Sequence, residues 1–522
     1  MGSGKSTVAR IVAERTGRRC IDLDAHIVSR TGMSIARWYQ ERGEAAFRIA
    51  EAQALAEAIN VSEPLVIALG GGAVLHDDSR RLLLSKGLLL TLTAPVQELA
   101  RRIEGSRDRP LLVGKDVAAT LQGLMDARAS SYAECHAVIH THGRDPGDIA
   151  TEIAQLSALR SVVVPLGERS YSIWIGRGLD DVAGRAIEEM VSVQHIVLVS
   201  DSNIRPLAIP SVIAELEARG KHVIEVTLAP GESHKTLSSV EAIWDAAIAG
   251  NVTRGDLVLA VGGGVVGDLA GFAAATLLRG MQLGHLPTTL LSMVDSSVGG
   301  KTGFDRPQGK NLIGAFYQPR FVVCDLQRLE TLPDVEYRSG LAEVVKAAWI
   351  SGTSAVEFLE RHTQQLLNRH EDTLAQAVEM AVALKAQIVT ADEQESGRRR
   401  VLNLGHTIGH AIEALENFEG MRHGEAVALG MMAAAKVGRH IGITADNDAS
   451  RLRQLLHALG LPIDVGPWLT RRELFPLLGA DKKRLGNVLH YVVFGEPGHV
   501  HAIPLTLEDL RNALGAKPCI SS

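Results

Sequence analysis

The sequence lacks the marks of several protein classes. Its 522 residues contain four cysteines, far apart and without a CxxC pair, which argues against a disulfide framework or a thiolate metal site and favours the reducing cytoplasm. No secretory signal is visible, and the longest apolar run, 426–435, is about half of a membrane span. With 54 basic against 60 acidic residues, the chain has no positive excess for a nucleic acid. We therefore expect a cytoplasmic protein that acts on small molecules, without nucleic-acid or membrane partners.

Glycine is abundant, with 51 residues, and the chain is long enough for several domains. Over residues 1–158, short apolar runs alternate with helical stretches, which indicates a parallel sheet covered by helices on both faces. A second α/β pattern covers 161–335, after a boundary near 158–162, and strand signals almost vanish from 336 onward. We predict two α/β domains, 1–158 and 161–335, and an all-helical domain, 336–522, with a site in the cleft between the last two.

The first glycine segment is "GSGKST" at residues 2–7. Its glycines let backbone N–H groups turn toward phosphate oxygens, Lys5 can reach the β and γ phosphates, and Ser6 can ligate Mg²⁺. Further polar residues and glycines follow at fixed places along the same domain, namely Asp22, Asp24, Arg48, Gly70, Gly71, Gly72, Arg102, Arg109, Arg128 and Tyr132. The combination favours nucleotide binding over a chance glycine turn.

In this order and spacing, these residues resemble shikimate kinase across nearly all of 1–158. The resemblance implies an ATP and Mg²⁺ site made by Gly2, Gly4, Lys5, Ser6 and Thr7, with Asp22 behind the metal, Arg102 near the nucleotide and Arg109 in a lid. It implies a shikimate site made by Asp24, Arg48, Gly71, Gly72 and Arg128, with the arginines at the carboxylate. The family has a strand and a first glycine before this loop, which would lie upstream of Met1. We expect either a misplaced start codon or a truncation that puts kinase activity in doubt.

A second glycine turn, at Gly262, Gly263 and Gly264, lies between a predicted strand and a helix, where a pyrophosphate can bind. Asp201 ends an earlier strand, and Glu232 and Lys235 follow in "PGESHKT". The richest segment is a glycine-rich stretch that we interpret as a loop, with Thr288, Thr289, Asp295, Lys301, Lys310 and Asn311. Three polar clusters around glycine turns favour a ligand site over exposed charges.

The helical half contains a candidate metal site. Glu343 and Lys346 lie one turn apart in an apolar helix, which indicates burial, and a buried carboxylate needs a partner or a metal. His406 and His410 share one helix face, and His423 begins another apolar helix. Two histidines and a carboxylate from separate helices predict a divalent site with open positions for water or substrate.

From about residue 161 to the end, these segments resemble 3-dehydroquinate synthase. The resemblance implies that Glu343, His406 and His423 bind Zn²⁺ or Co²⁺. It implies an NAD site made by Asp201, Glu232, Lys235, Gly262, Gly263, Gly264, Asp268, Thr288 and Thr289. It implies a substrate site made by Asp295, Lys301, Lys310, Asn311, Lys346, Lys385, Arg399, Asn403, His410 and Lys482 or Lys483, and a homodimer through this half. His410 either handles a proton near the metal or only supports the metal ligands.

The implied substrate of this half is 3-deoxy-D-arabino-heptulosonate 7-phosphate. Metal-assisted hydride removal to NAD, β-elimination of phosphate, hydride return, ring opening and aldol closure would give 3-dehydroquinate. Several cations are needed because two anionic groups are held while charge develops on oxygen. The leading interpretation is a bifunctional enzyme of aromatic amino acid biosynthesis, with ATP-dependent shikimate phosphorylation at the other end. The alternatives are a synthase with an inactive kinase-like module, a related sugar-phosphate cyclase, or a polyol dehydrogenase.

Overall fold

The computed structural model describes residues 2–104, 116–395, 397–416, 420–480 and 488–516. The chain divides into two compact units, Met1–Ser172 and Ile173–Ser522. Predicted site residues Arg109, Lys482 and Lys483 lie outside the described residues.

The first unit alternates helices with short strands, as predicted. Its strands are β1 (Arg19–Asp22), β2 (Leu65–Ala68), β3 (Leu90–Thr93), β4 (Ala137–His140) and β5 (Arg160–Val164), and its helices are α1 (Lys5–Thr16), α2 (Leu23–Thr31), α3 (Ile35–Ile59), α4 (Asp77–Lys86), α5 (Val96–Ile103), α6 (Val117–Ala133) and α7 (Pro146–Leu156). Strand β1 pairs with β2 and β3 pairs with β4, both in parallel. Among the described residues these are two separate two-stranded sheets.

Helix α1 begins at Lys5 because Gly4 precedes it in the left-handed conformation, with φ 87°, which most side chains oppose. The helix buries an apolar face that includes Val8 and Val12, and it ends at Gly17, also left-handed. Loop residues 2–4 therefore lie at a helix N-terminus. The unpaired N–H groups and the helix dipole of such an end favour an anion.

The second unit begins with a larger sheet. Its elements up to residue 325 are β6 (Tyr171–Gly176), α8 (Asp180–Glu188), β7 (His195–Asp201), α9 (Arg205–Ala218), β8 (His222–Leu228), α10 (Leu237–Ala249), β9 (Leu257–Gly262), α11 (Gly264–Thr276), β10 (Gln282–Pro287), β11 (Lys301–Arg306), β12 (Gly309–Phe316) and β13 (Phe321–Asp325). Six strands lie side by side in the order β6-β13-β10-β9-β7-β8. Every residue of β9 is buried, as expected for a central parallel strand. Its last residue, Gly262, leads into α11, so the glycine turn lies at the carboxyl edge of the sheet.

One predicted loop is instead a hairpin. The glycine-rich segment that carries Lys301, Lys310 and Asn311 forms the antiparallel strands β11 and β12. Gly303 faces Gly314, and a Cβ on Gly303 would lie 2.5 Å from the carbonyl oxygen of Ile313. The glycines thus permit close approach of two strands, whereas the glycine content had suggested a loop.

The remainder is mainly helical: α12 (Asp334–Ser351), α13 (Thr353–Leu367), α14 (Glu371–Ala391), α15 (His406–Leu415), α16 (His423–His440), α17 (Asp446–Ala458), α18 (Gly466–Leu469), α19 (Leu474–Ala480) and α20 (Leu507–Ala513), with strands β14 (Leu489–Phe494) and β15 (Val500–Leu505). The prediction of an all-helical domain needs one correction, because β14 and β15 form an antiparallel pair. Phe494 packs edge-on against the buried Trp349 of α12, with ring centroids 5.1 Å apart. The run 491–494 is buried throughout, so it lacks the alternation that marks a half-exposed strand.

Helix α14 has the length and composition of a membrane span, with a mean hydropathy of 1.2, and is the only such helix among the described residues. Within its most apolar stretch, 56% is buried inside the protein. Core helices of globular proteins have the same properties, so this helix is weak evidence for a membrane.

Candidate active sites

Helices α12, α15 and α16 bring together Glu343, His406 and His423, whose ligand atoms all lie within 4.8 Å of one another. The Nε2 atoms of His406 and His423 each lie 3.6 Å from Oε1 of Glu343. That buried oxygen has no hydrogen-bond partner among the described residues. A carboxylate oxygen between two imidazole nitrogens is the donor set that Zn²⁺ and similar ions prefer. The residues present therefore fit a divalent metal.

Glycines at the helix crossings make this arrangement possible. A Cβ on Gly424, the second residue of α16, would lie 1.8 Å from the carbonyl oxygen of Ser339 on α12. The N–H of Gly424 also donates to Oγ of Ser339 over 2.9 Å. Similarly, a Cβ on Gly430 would lie 1.8 Å from the carbonyl oxygen of Gly405, which precedes α15. Close approach of these backbones places His423 and His406 beside α12.

The charges of this cluster balance one another. Glu343 is 2% exposed, and although burial opposes its ionisation, Lys346 and the two histidines hold its pKa at about 2. Burial and the nearby Lys346 lower the pKa of His406 well below its ordinary value, so this ring is neutral and has a lone pair for a metal. Burial opposes a charge on His423, but the neighbouring carboxylates of Glu343 and Glu413 raise its pKa to about 10. A bound cation would take the place of that proton.

A second cluster lies around Asp295, which a π-helical turn, Ser292–Ser296, presents to α14. The Lys385 ammonium donates to Oδ1 and to the carbonyl oxygen of Asp295, each over 2.6 Å. Burial opposes ionisation of Asp295, but Lys385 and Lys346 lower its pKa far below the usual range. The buried Arg399 donates to the carbonyl oxygens of Glu393 and Gly299 over 2.7 and 3.0 Å. These cations are therefore held in fixed positions.

The hairpin lysines also contact carboxylates. Lys310 Nζ lies 3.2 Å from Oε1 of Glu232 and 3.4 Å from Oε1 of Glu413. Lys301 forms an ion pair with Glu395, whose Oε1 also accepts from Asn403 Nδ2 over 3.3 Å. Each of the two predicted substrate lysines is thus held in position by an acid, as in preorganised anion sites.

Sequence reasoning missed Glu395 and Glu413. Glu413 follows His406 by seven residues and His410 by three, so helical spacing alone could have indicated it. Glu395 lies in an irregular segment close to Glu393, where no helical spacing marks one of the two acids as the site residue.

The glycine turn after β9 fits a dinucleotide. The N–H of Thr288, at the end of β10, donates to the carbonyl oxygen of Gly262 over 3.0 Å. The Thr288 hydroxyl is buried beside this turn and has no hydrogen-bond partner among the described residues. Thr289 donates to Oγ of Ser292 over 2.9 Å, and a Cβ on Gly263 would lie 3.2 Å from Thr289. A hydroxyl, a glycine turn and a helix N-terminus together suit a pyrophosphate.

Two further NAD candidates are Asp201, at the end of a strand, and Lys235, after a short 3-10 turn. Asp201, the last residue of β7, accepts through Oδ1 from the N–H groups of Asn203 and Ile204 over 2.8 and 3.1 Å. Lys235 is buried and donates to Oδ2 of Asp268 over 2.5 Å and to Oδ1 of Asn311 over 2.6 Å. Burial lowers the Lys235 pKa, but Asp268 and Glu232 raise it, with a net increase. Asn311 thereby links the predicted NAD residues to the predicted substrate residues.

In the first unit, Ser6 at the start of α1 donates to Oδ2 of Asp22 over 2.6 Å. This pair fits the predicted Mg²⁺ position, because a hydroxyl and a carboxylate are oxygen ligands. Thr7 follows on α1, and both hydroxyl residues are exposed. Arg102 donates to Oγ1 of Thr141 over 3.0 Å and to the carbonyl oxygen of Gly2 over 3.5 Å. Arg102 therefore lies against the phosphate loop.

Arg48 lies on the second glycine turn of this unit. Its Nη1 donates to Oε2 of Glu51 over 2.7 Å, and its Nη2 donates to the Tyr39 hydroxyl over 3.0 Å. A Cβ on Gly72 would lie 1.8 Å from Arg48 Nη1, so only glycine leaves room for the guanidinium. Tyr39 and Glu51 were not predicted, although the i, i+3 spacing of Arg48 and Glu51 was a readable signal.

The other side of the same turn holds Arg128 and Tyr132. Arg128 Nη1 and the Tyr132 hydroxyl both donate to the carbonyl oxygen of Gly71, over 3.0 and 2.6 Å. Oδ1 of Asp24 lies 2.8 Å from the position that a Cβ on Gly70 would take. One glycine turn therefore has the predicted acid and both predicted arginines around it.

The second unit has the fold of the NAD- and metal-dependent sugar-phosphate cyclases. It is similar to 2-deoxy-scyllo-inosose synthase complexed with carbaglucose-6-phosphate, NAD⁺ and Co²⁺ (27% identity, TM-score 0.61, covering 68% of this chain and 99% of that chain). It is also similar to 2-epi-5-epi-valiolone synthase from Streptomyces hygroscopicus subsp. jinggangensis 5008 with NAD⁺ and Zn²⁺ bound (26% identity, TM-score 0.61, covering 67% and 97%). The predicted fold class of an α/β cofactor domain with a helical metal domain is confirmed.

Family comparison is more specific. The shikimate kinase family model matches residues 1–158, and models of the N-terminal and C-terminal domains of 3-dehydroquinate synthase match 225–339 and 340–484. A 3-dehydroquinate synthase from Geobacter sp. (strain M21) is 45% identical over 320 residues, 61% of this chain and 88% of that protein. The chain belongs to the 3-dehydroquinate synthase family, with a shikimate kinase domain at its N-terminal end.

Proposed function

We propose that the chain has two activities. The second unit converts 3-deoxy-D-arabino-heptulosonate 7-phosphate to 3-dehydroquinate and phosphate, and the first unit phosphorylates shikimate with ATP. The observation that carries the first assignment is the unpartnered Oε1 of Glu343 between two imidazole nitrogens, with buried lysines beside it. We place the protein in the reducing cytoplasm, consistent with Cys20, Cys135 and Cys324 as free thiols.

Glu343, His406 and His423 would hold the metal, and the residues around the β9 turn would hold NAD. When bound, the metal polarises a substrate hydroxyl and NAD accepts and returns a hydride. The nitrogen and oxygen donors suit Zn²⁺ and Co²⁺ alike.

The cations of the site then have separate tasks. Lys346 contacts Glu343 and would stabilise the negative charge that develops on the substrate oxygen. Lys301, Lys310 and Arg399 bind the phosphate and carboxylate of the substrate, helped by Asn311 and Asn403. Burial of Lys385 and Asp295 strengthens their electrostatic effect on the reacting region.

His410 is suited to proton exchange. Its ring centroid lies 5.2 Å from that of His406 and 6.0 Å from that of His423, yet the residue is exposed. It can therefore move a proton between solvent and the region of the metal, whereas His406 and His423 are less exposed and are placed to bind the metal.

In the kinase unit, Lys5, Ser6 and the N-terminus of α1 would hold the ATP phosphates and Mg²⁺. Asp24, Arg48, Gly71, Gly72 and Arg128 would hold shikimate, with both arginines at its carboxylate. Phosphoryl transfer of this kind needs positioning and charge neutralisation more than covalent catalysis.

We also propose that the synthase half forms a homodimer. The hairpin strand β12 exposes three large apolar side chains, Leu312, Ile313 and Phe316. Exposed apolar groups on one strand suit a protein contact. A single species at the monomer mass in analytical ultracentrifugation would contradict this proposal.

The proposed activities are tested on the purified chain in two assays. The first supplies heptulosonate phosphate, NAD and Co²⁺ or Zn²⁺, and the second supplies shikimate, ATP and Mg²⁺. We expect 3-dehydroquinate in the first and shikimate 3-phosphate in the second. Dehydroquinate alone would instead support a synthase with an inactive kinase-like module, and its absence would overturn the main assignment.

The remaining alternatives receive less support. The curated relatives at 45% identity are named 3-dehydroquinate synthases, whereas the other cyclases are 26–27% identical. A polyol dehydrogenase has no evident need for the hairpin lysines and Arg399.

A further inference from the structure

A buried acid beside the metal ligands has no role in the proposed reaction. Glu413 lies on α15 and is 4% exposed. Its Oε2 lies 3.3 Å from Nδ1 of His423, and its Oε1 lies 3.4 Å from Nζ of Lys310. One carboxylate thus contacts a metal ligand and a substrate lysine.

The two ring nitrogens of His423 face different acids. Nε2 lies 3.6 Å from Oε1 of Glu343, whereas Nδ1 faces Glu413. A neutral imidazole has one N–H and one lone pair, and the hydrogen bond that one nitrogen makes decides which nitrogen can bind a metal. If Nδ1–H donates to Glu413, the lone pair of Nε2 points to the position beside Glu343.

We propose that Glu413 is a positioning residue that sets the tautomer and ring orientation of His423 for metal binding. The inference rests on the proposed function for the presence of a metal at Glu343, His406 and His423. Carboxylates in this position commonly change metal affinity by about 10-fold to 100-fold when they are replaced.

Glu413 could also be a direct ligand, because it forms a second possible donor group with His410 and His423. The contacts favour the positioning role. Both oxygens of Glu413 have partners, in His423 and Lys310, whereas Oε1 of Glu343 has none among the described residues. A metal supplies the missing partner only at Glu343.

The contact with Lys310 extends this role to the substrate site. Lys310 lies on the hairpin strand β12, and Glu413 lies on α15 of the helical part. One carboxylate therefore fixes both a metal ligand and a cation that would bind an anionic group of the substrate. Glu232, 3.2 Å from Lys310, supports the lysine from the cofactor side.

The test measures Co²⁺ binding to the metal-free full chain, without NAD or substrate. Affinity is obtained by competition with a chelator, and the visible spectrum of bound Co²⁺ reports its ligand geometry. We expect Glu413→Gln, which keeps the side-chain shape, to bind Co²⁺ about 10-fold to 100-fold more weakly. Glu413→Asp keeps the carboxylate and should recover part of the loss. The matched control is Glu360→Gln, because Glu360 is a surface acid paired with Arg451.

Wild-type affinity and an unchanged spectrum in Glu413→Gln would overturn the inference. Complete loss of Co²⁺ binding, equal to that of His423→Ala, would also overturn it, because Glu413 would then be a ligand itself. Glu413→Gln should unfold at a lower temperature than wild type, because it removes one partner of buried ion pairs. A wild-type far-UV circular dichroism spectrum and cooperative unfolding of the metal-free variants separate a local effect from misfolding. Failure of the proposed function appears differently, as wild-type protein that binds Co²⁺ but forms no 3-dehydroquinate.

Discussion

Both units have a glycine turn at a helix N-terminus. The strands of the two units differ greatly in how deeply they are buried. Strand β9, before the turn at Gly262, is buried at all six positions and pairs with β7 and β10. Strands β2 and β3 of the first unit are mostly half-buried, and each has one partner among the described residues. A strand with neighbours on both sides is protected at its edges as well as its faces. The comparison indicates that the turn at Gly262 follows a more deeply buried strand than any of the compared strands of the first unit.

The largest expected effect is a loss of synthase activity that leaves kinase activity unchanged. Glu343→Gln removes the negative charge from the metal donor set, so we expect synthase kcat/KM to fall about 10²-fold to 10³-fold. Shikimate phosphorylation should stay at the wild-type level. Both activities are measured by steady-state kinetics on the same preparation of the variant. Retention of synthase activity would show that Glu343 is not a metal ligand.

The next effect concerns the kinase unit alone. Arg48→Ala removes a charged hydrogen-bond donor that we assign to the shikimate carboxylate, a loss of about 1.5–3 kcal/mol. We expect KM for shikimate to rise about 10-fold to 100-fold, with synthase activity unchanged. Arg37→Ala is the control, because Arg37 lies on the same helix and pairs only with the exposed Glu41 among the described residues. An equal change in both variants would contradict the assignment.

The sequence predicted most of the metal site because its signals are local. Glu343 and Lys346 stand out in an apolar helix, and His406 and His410 share a helix face. The contact of Glu395 with Lys301 joins chain segments about 90 residues apart, which no local pattern reveals. The β11–β12 hairpin was missed because its glycines act through close strand approach rather than through a turn. Local periodicity therefore predicted the helices well, but it did not predict which strands pair or which distant side chains meet.

The difference in strand burial predicts different stabilities. We expect calorimetry of the full chain to show two transitions, with the first unit unfolding at the lower temperature, because its strands bury less apolar surface. ATP with Mg²⁺ should raise only the lower transition, and Co²⁺ with NAD should raise only the upper one. A single transition raised by both ligand sets would contradict the comparison.

The smallest expected effect on either activity at neutral pH comes from a group that titrates in acid, because it gives only a pH dependence of stability in the first unit. Burial lowers the pKa of His136 to about 4, and its neutral Nδ1 accepts from the N–H of Leu89 over 3.0 Å. Because the unfolded state binds a proton from about pH 6.5 downward, the free energy of unfolding should fall between pH 6.5 and 4, by at most about 1.4 kcal/mol per pH unit. His136→Gln should reduce this slope in the lower transition. A matched change in the buried His285 of the second unit should leave it unaffected.

The central claim is that one chain holds two separate active sites. The most direct measurement assays His406→Ala, His423→Ala and Lys5→Ala for both reactions. The account predicts that the histidine variants lose dehydroquinate formation and keep shikimate phosphorylation, and that Lys5→Ala does the reverse. Loss of both activities in any of these folded variants, or no kinase activity in the wild-type chain, would contradict it.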